Sequence, residues 1–224
     1  MRRLPLILSA LFIAAATPAH AQTSQDEQLW LNLTAMGSVK DDLVYFAEIQ
    51  PRIGDGVSRV NQAIFRGALG WKLSPTVTVY QGYAHIVSPV ENGTDLNEDR
   101  SFQQLNWTLG KPWGGELMSR TRLEQRWRSD IGWRVREMLR YEKPLRPGSD
   151  AVNALVYAEG FVALNDTDWG VKGGFDQARG FVGVELGLPG ASTAEVGYLA
   201  QVVDQRGGRT AVNHVASLTL FFRH

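Results

Sequence analysis

The chain has 224 residues, no cysteine, and 23 basic residues against 23 acidic ones. The lack of cysteine excludes disulfides, thiol chemistry and cysteine-ligated metals. The balanced charge argues against a nucleic-acid partner, because a nucleic-acid-binding protein of this size usually carries a strong basic excess.

The N-terminal residues 1–21 read MRRLPLILSALFIAAATPAHA. Two arginines, an apolar run over residues 4–16 and the small-x-small triplet Ala19-His20-Ala21 are typical of a secretory signal peptide. The apolar run is too short to cross about 30 Å of hydrocarbon, which disfavours a membrane anchor. We therefore predict a cleaved signal peptide over residues 1–21 and one domain over residues 22–224, with a formal charge of −2.

Alternation of polar and apolar residues dominates the rest of the chain, and helical periodicity is absent. Strand-like runs occur at 29–36, 43–52, 59–72, 76–86, 100–110, 116–128, 131–143, 152–162, 174–187, 193–204 and 211–222. Many of them reach the roughly 9–11 residues that a tilted strand needs to span a membrane. The gaps at 73–75, 111–115 and 188–192 are short, whereas those at 87–99 and 163–173 are longer and more acidic. Short periplasmic turns and longer outer loops are typical of bacterial outer-membrane barrels.

Two neighbouring runs, 116–128 and 131–143, separate charge from apolar character by parity. Seven arginines occupy even positions, and the odd positions are mostly apolar or aromatic, among them Leu123, Trp127, Trp133, Val135 and Leu139. Since successive side chains of a strand point to opposite faces, one face is charged and the other apolar. An arginine or lysine facing lipid at mid-bilayer costs about 2–4 kcal/mol. We therefore expect the arginines to point into a barrel lumen and the apolar side chains to face lipid.

The distribution of lysine and of aromatic residues supports this orientation. All five lysines fall in turns or at strand ends, whereas strand interiors use arginine, whose planar fork suits confined pairing with carboxylates. Tryptophans lie toward strand ends, as in the aromatic girdles of membrane barrels. The residues predicted to line the lumen are Glu48, Arg52, Arg66, Arg120, Arg122, Glu124, Arg126, Arg134, Arg136, Arg140, Glu159, Arg179, Glu185 and Glu195.

The predicted fold is all-β, an antiparallel transmembrane β-barrel of the outer membrane with about 10–12 strands. Bacterial single-chain barrels have an even number of strands, and eleven runs conflict with that rule. The run 29–36 is then left to plug the lumen, to add an irregular strand, or to pair with an unrecognised one. If the short turns lie in the periplasm, the C-terminus is periplasmic as well.

Several segments resemble one family of bacterial proteins. They are Leu29-Trp30-Leu31, Glu48 through Arg52, SRTRLEQRW, GWRVREMLRYEKPL, YAEGF, FDQARGFVG and EVGYLAQ. The pattern resembles the outer-membrane proteins grouped as domain of unknown function 2490, over roughly residues 29–222. The resemblance implies a barrel and no particular activity. One departure is the end of the chain, where Arg223 and His224 follow the aromatic Phe222 expected at the terminus of an outer-membrane barrel.

Three classes of function stay open. The leading one is a structural barrel whose lumen is a core of arginine–glutamate salt bridges. The second is a narrow anion-preferring channel for small acidic solutes, since rings of arginine select anions. The third is an outer-membrane hydrolase. Expected partners are outer-membrane lipids, the barrel assembly machinery and, for the channel, small anionic solutes.

Candidate residues for hydrolysis are few. His85 could act as a base and be oriented by Glu91, Asp95 or Asp99. Ser217 falls on the strand face opposite to His214, which argues against a His214–Ser217 pair. The acidic loops, including 165–168, lack the spacing of a calcium-binding EF-hand loop. We therefore expect no enzymatic activity, no catalytic residue, no cofactor and no metal site.

Overall fold

A computed structural model describes residues 23–146, 148, 151–205 and 207–224, and the predicted signal peptide lies outside them. The described residues form eleven strands and one short 3₁₀ turn, Pro112–Gly114. The strands are β1 Thr23–Lys40, β2 Leu43–Gly54, β3 Arg59–Ser74, β4 Val77–Ser88, β5 Leu96–Gly110, β6 Glu116–Trp127, β7 Ile131–Arg146, β8 Val152–Ala163, β9 Gly174–Gly187, β10 Thr193–Gln205 and β11 Arg209–Arg223. The predicted all-β barrel is confirmed. Within the described ranges, no helix is long and apolar enough to cross a membrane.

The sheet closes on itself by joining its first and last strands. Each strand pairs in antiparallel fashion with the next one along the chain, and β1 pairs in parallel with β11. This parallel pair runs from Thr23 opposite Thr210 to Met36 opposite Arg223. An odd number of alternating strands leaves the first and last pointing the same way, so the closing pair must be parallel. The run 29–36, whose role the sequence left open, is part of β1, and the eleven strands fall within the predicted 10–12 but break the even-number rule.

The two ends of the barrel differ in their connections. We call "turn end" the end that carries segments 41–42, 75–76, 111–115 and 188–192, and "loop end" the end that carries segments 55–58, 89–95, 128–130 and 164–173. The segment 164–173 folds onto the neighbouring hairpin, where Asn165 accepts a 2.7 Å hydrogen bond from the Trp133 backbone N–H. The two longest of the described connections, 89–95 and 164–173, therefore lie at the same end, as the sequence predicts.

Side chains sort into an apolar outer face and a mixed inner face. Exposed outward-facing side chains include Ile49, Phe65, Leu69, Leu139 and Val182. Inward positions are even-numbered up to β7 and odd-numbered from β8, and the β7–β8 register shifts between Pro144 and Arg146. Asn61 and Asp176 lie at register shifts and line the lumen at the opposite parity. Along any one strand the alternation follows from the pleat, which sends successive side chains to opposite faces.

The inner face itself has an apolar wall and a charged wall. Trp30, Leu155, Phe181, Leu199 and Val215 form a buried cluster on β1 and β8–β11. A Cβ atom on Gly197 would lie 2.5 Å from the Phe181 ring, so a residue without a side chain is required there. We call the inner face of β5–β8 the charged wall, which holds Glu98, Arg100, Arg122, Glu124, Arg126, Arg134, Arg136 and Glu159; Glu185 on β9 and Glu195 on β10 are buried as well.

Candidate functional site

The charged groups predicted to line the lumen lie on the inner face of the barrel. Among the described residues, five ion pairs join strands that are not neighbours in the sheet, and the three shortest are Arg120–Glu159 at 2.9 Å, Arg134–Asp176 at 2.7 Å and Arg140–Glu195 at 2.7 Å. Such contacts bypass an intervening strand and can only cross the interior. The other predicted residues lie on the same face, either in ion pairs or as walls of the cavities described below. They are Glu48, Arg52, Arg66, Arg122, Glu124, Arg126, Arg136, Arg179 and Glu185.

Glu124 on β6 is a fully enclosed carboxylate of the charged wall, with 1% of its surface exposed. It accepts hydrogen bonds from Arg134 Nε at 2.9 Å, Arg134 Nη2 at 2.6 Å and Arg136 Nη1 at 2.8 Å. Arg122 Nη1 lies 3.7 Å away. A buried carboxylate is tolerated only when such donors replace the water it has lost.

Glu159 on β8 holds the next group of arginines. It accepts hydrogen bonds from Arg136 Nη2 at 2.7 Å, Arg136 Nε at 3.1 Å and Arg120 Nη2 at 2.9 Å. Arg179 lies 3.7 Å from its other oxygen. Because Arg136 contacts both Glu124 and Glu159, it links the two carboxylates into one network. We call the set Arg120, Arg122, Glu124, Arg134, Arg136 and Glu159 the ion-pair layer.

Glu98 is a buried carboxylate that sequence reasoning placed in the acidic loop 87–99. In the structure β5 already includes it, and its exposed fraction is 1%. Arg100 Nε at 2.5 Å, Arg126 Nε at 2.7 Å and Arg128 Nε at 3.0 Å all donate to it. The even parity of the run 100–110 already includes Arg100, and extending it backwards would have identified Glu98 as inward-facing too.

Arg52 on β2 is held without a carboxylate. Its guanidinium donates to the side-chain oxygens of Gln62 at 3.0 Å and Gln50 at 3.1 Å, and its Nε is buried without a hydrogen-bond partner. It lies over the Trp30 ring at 3.8 Å, and Arg179 lies over the same ring at 4.9 Å. Among the described residues, no ion pair reaches Arg52. Trp30 thus holds two guanidinium groups through cation–π contacts.

Two cavities occupy the lumen on either side of the network. The loop-end cavity measures about 310 Å³ and is lined by Trp30, Arg52, Arg134, Asp176 and Arg179 among others. The turn-end cavity measures about 250 Å³, and its walls include Phe46, Met138 and Tyr157. Glu124 and Glu159 line neither cavity, since arginine side chains surround them. The ion-pair layer therefore lies between the two cavities.

The two cavities also differ in charge. Within the described ranges, seven arginines and a single carboxylate, Asp176, line the loop-end cavity. At the turn end, Arg140 contacts Glu142 at 2.8 Å and Glu195 at 2.7 Å, and it lies 3.8 Å from Glu185. The described lining of the turn-end cavity holds four arginines, Arg66, Arg120, Arg122 and Arg140, and two carboxylates, Glu48 and Glu195, so the excess of arginine is larger at the loop end.

The histidines lie away from this network. His85 Nδ1 lies 2.8 Å from Asp99 Oδ1, to which the Tyr83 hydroxyl also donates at 2.5 Å. Of the three carboxylates considered for His85, the structure brings Asp99 into contact. His214 contacts the Tyr198 hydroxyl at 2.6 Å, on the face opposite to Ser217. His85 and Asp99 occupy outward positions on β4 and β5, next to apolar side chains such as Phe65.

The acidic loop at 164–173 is held by internal contacts. Asp166 accepts hydrogen bonds from the Gly173 backbone N–H at 2.8 Å and from Lys172 Nζ at 2.6 Å. These donors lower the pKa of Asp166 from its ordinary value of 3.8. Within the described part of the chain, no group of histidine and carboxylate side chains has the arrangement of a metal site.

Comparison with known proteins gives one family and one close relative. Residues 27–212 match the family described as "Protein of unknown function (DUF2490)". An uncharacterised protein of Methylorubrum extorquens is 46% identical over 222 residues, which cover 98% of this chain and 97% of the relative. No solved structure matches the chain.

Proposed function

We propose that this chain, which belongs to the DUF2490 family, is an outer-membrane β-barrel with a structural role whose lumen is closed by its ion-pair layer. The observation that carries the proposal is the burial of Glu124 and Glu159 between the loop-end and turn-end cavities. Each carboxylate is bonded to at least two arginines from other strands. Opening a continuous path would break several of these contacts at once.

The outer face supports insertion in a membrane. Its exposed side chains are largely apolar, and strands of 12–18 residues exceed the roughly 9–11 needed to span. Trp71 and Trp107 lie toward the turn end and Trp133 toward the loop end, as aromatic girdles require. The outward carboxylate of Glu137 accepts hydrogen bonds from Ser119 at 2.6 Å and Thr121 at 2.5 Å, which offset part of its cost in lipid.

The proposed location follows from the same features. The predicted signal peptide would direct export, and the alternating Leu218, Leu220 and Phe222 near the C-terminus would be recognised by the barrel assembly machinery. Phe222 is 48% exposed on the outer face, available for such recognition. Outer-membrane lipids would then surround the barrel.

Membrane fractionation and heat-modifiable gel migration test the location. The folded protein should be recovered with the outer membrane and should migrate differently before and after boiling. Recovery as a soluble periplasmic protein that binds ligands in the manner of a lipocalin would overturn the proposal.

A planar bilayer under a salt gradient tests whether the lumen is closed. Correctly folded wild-type protein should conduct no ions. The anion channel is the second candidate, because the loop-end wall carries an excess of arginine. Currents with a reversal potential favouring anions, reduced in Arg122→Ala or Arg136→Ala, would establish the channel in place of the closed barrel. A preference for cations would contradict both readings of the arginine-lined lumen.

The contact between His85 and Asp99 is the observation that favours the hydrolase. Asp99 could hold the imidazole in one orientation, as in hydrolases that use a histidine base. The hydroxyl that contacts Asp99, however, belongs to Tyr83 and shares the same carboxylate oxygen. We propose that the barrel is not an enzyme, so His85→Ala should leave its properties unchanged. Loss of a measured lipase or protease activity in a folded His85→Ala protein would establish the enzyme.

A further inference from the structure

We infer that the loop-end cavity is a binding site for a small, polar solute that carries a carboxylate or phosphate group. The inference rests on the proposed function in one respect, since the cavity is a blind pocket only while the ion-pair layer stays closed. It goes further by assigning a ligand to one end of the barrel.

The first argument is the excess of guanidinium groups around the cavity. Six of its seven arginines contact five carboxylates in all, namely Glu48, Glu98, Glu124, Glu159 and Asp176. Three further arginines, Arg120, Arg122 and Arg128, share these same carboxylates. Among the described residues, the charge network that borders the cavity thus holds ten arginines and five carboxylates, and Arg120 and Arg122 of this network line the turn-end cavity. An anion in the cavity would offset the repulsion between like charges that burial strengthens.

The second argument is the state of Arg52 and Arg179. Both guanidinium groups lie over the Trp30 ring, which brings two cations close together. Arg52 donates to two glutamine side chains and has no carboxylate partner in the described part of the chain, and its buried Nε–H has no acceptor. The ion pair of Arg179 with Glu159 is long, at 3.7 Å between Nη1 and Oε2. A carboxylate or phosphate accepts hydrogen bonds from arginine in bidentate geometry, so it matches what these two side chains offer.

The third argument concerns the rest of the cavity wall. Gln62, Gln177, Gln201 and Asn213 place amide groups around the arginines, and Trp30 supplies one aromatic face. Amides can both donate to and accept from hydroxyl groups. The volume of about 310 Å³ equals roughly ten water molecules at about 30 Å³ each. This combination fits a monosaccharide-sized sugar acid or sugar phosphate better than an apolar anion.

The test is isothermal titration of the full-length mature barrel in detergent with glucose 6-phosphate, glucuronate, inorganic phosphate and glucose. The two charged sugars should bind and neutral glucose should not. Comparing glucuronate with glucose 6-phosphate shows whether the site prefers a carboxylate or a phosphate, and inorganic phosphate shows how much the sugar ring adds. Binding should weaken as salt rises toward about 1 M, where the Debye length falls to about 3 Å.

Matched variants assign the binding to this cavity. Arg52→Gln and Arg179→Gln should each weaken binding of the charged sugars about tenfold, which corresponds to about 1.4 kcal/mol. Arg223→Gln is the control, since Arg223 lies at the turn end beside Thr193. It should bind as the wild type does. Arg52→Lys keeps the charge and should retain binding. It provides a second test of this position if Arg52→Gln fails to fold.

Three results would overturn the inference: no binding of any anion by folded wild-type protein, equal binding of glucose and glucose 6-phosphate, or an equal loss in Arg223→Gln. These outcomes are separate from the bilayer measurement. A silent barrel that binds no anion would retain the closed lumen and lose the site, whereas a conducting barrel would lose the closed lumen itself.

Discussion

Replacing Glu124 by glutamine removes the buried negative charge at the centre of the ion-pair layer while keeping the shape of the side chain. The carboxylate accepts three hydrogen bonds of 2.6–2.9 Å from Arg134 and Arg136. Removing one partner of a buried ion pair generally costs about 3–5 kcal/mol. Arg134 keeps Asp176 at 2.7 Å and Arg136 keeps Glu159 at 2.7 Å, so neither guanidinium is left without a carboxylate. We therefore expect a loss near the lower limit, about 3 kcal/mol.

The assay is reversible urea unfolding of the barrel in lipid vesicles, followed by tryptophan fluorescence. The free energy of unfolding is extrapolated linearly to zero denaturant. A loss of about 3 kcal/mol corresponds to a roughly 150-fold change in the unfolding equilibrium constant. Glu142→Gln is the control, because that carboxylate is 24% exposed and Arg140 keeps Glu195. It should lose less than about 1 kcal/mol. If Glu124→Gln loses no more than this control, the ion-pair layer does not stabilise the barrel as argued.

Three further predictions concern packing and pH. Gly82→Ala should destabilise the barrel by about 1–3 kcal/mol in the same assay, since its Cβ would overlap the Phe102 ring; an unchanged midpoint would contradict that packing. Trp30→Ala should lower the free energy of unfolding by about 3–5 kcal/mol, because removing the buried indole leaves a cavity. A loss below about 1 kcal/mol would refute this prediction. The lowered pKa of Asp166 stabilises the folded loop above pH 3.8, and this contribution is lost as pH falls through the folded-state value. Limited proteolysis should therefore cut this loop faster in the wild type as the pH falls through that value, whereas the rate for Asp166→Asn should not change for this reason.

The one-dimensional pattern was sufficient to predict the barrel class. A pleated strand sends alternate side chains to opposite faces, so the parity of arginines such as Arg122 and Arg136 separates the two faces without knowledge of any neighbour. The lengths of the gaps likewise indicated which connections share an end. These are local properties, carried by residues a few positions apart.

Closure of the barrel depended on the tertiary structure. The run 29–36 has the same alternation whether it plugs the lumen or joins the wall, so its pattern could not predict the parallel pair with β11. The boundary of β5 was also predicted too late, because Glu98 follows an acidic loop and resembles part of it. Strand partners are chosen by contacts distant in sequence, which alternation does not encode.

The pairing of charges was likewise decided only in three dimensions. The sequence predicts that arginines and glutamates face inward, and it cannot say that Arg136 contacts both Glu124 and Glu159 while Arg52 lies over Trp30 instead. Contacts such as Arg134–Asp176 cross the lumen, and their partners depend on strand number, tilt and stagger together. For the same reason, the sequence determined that the interior is charged, and the closed sheet determined where that charge is left uncompensated.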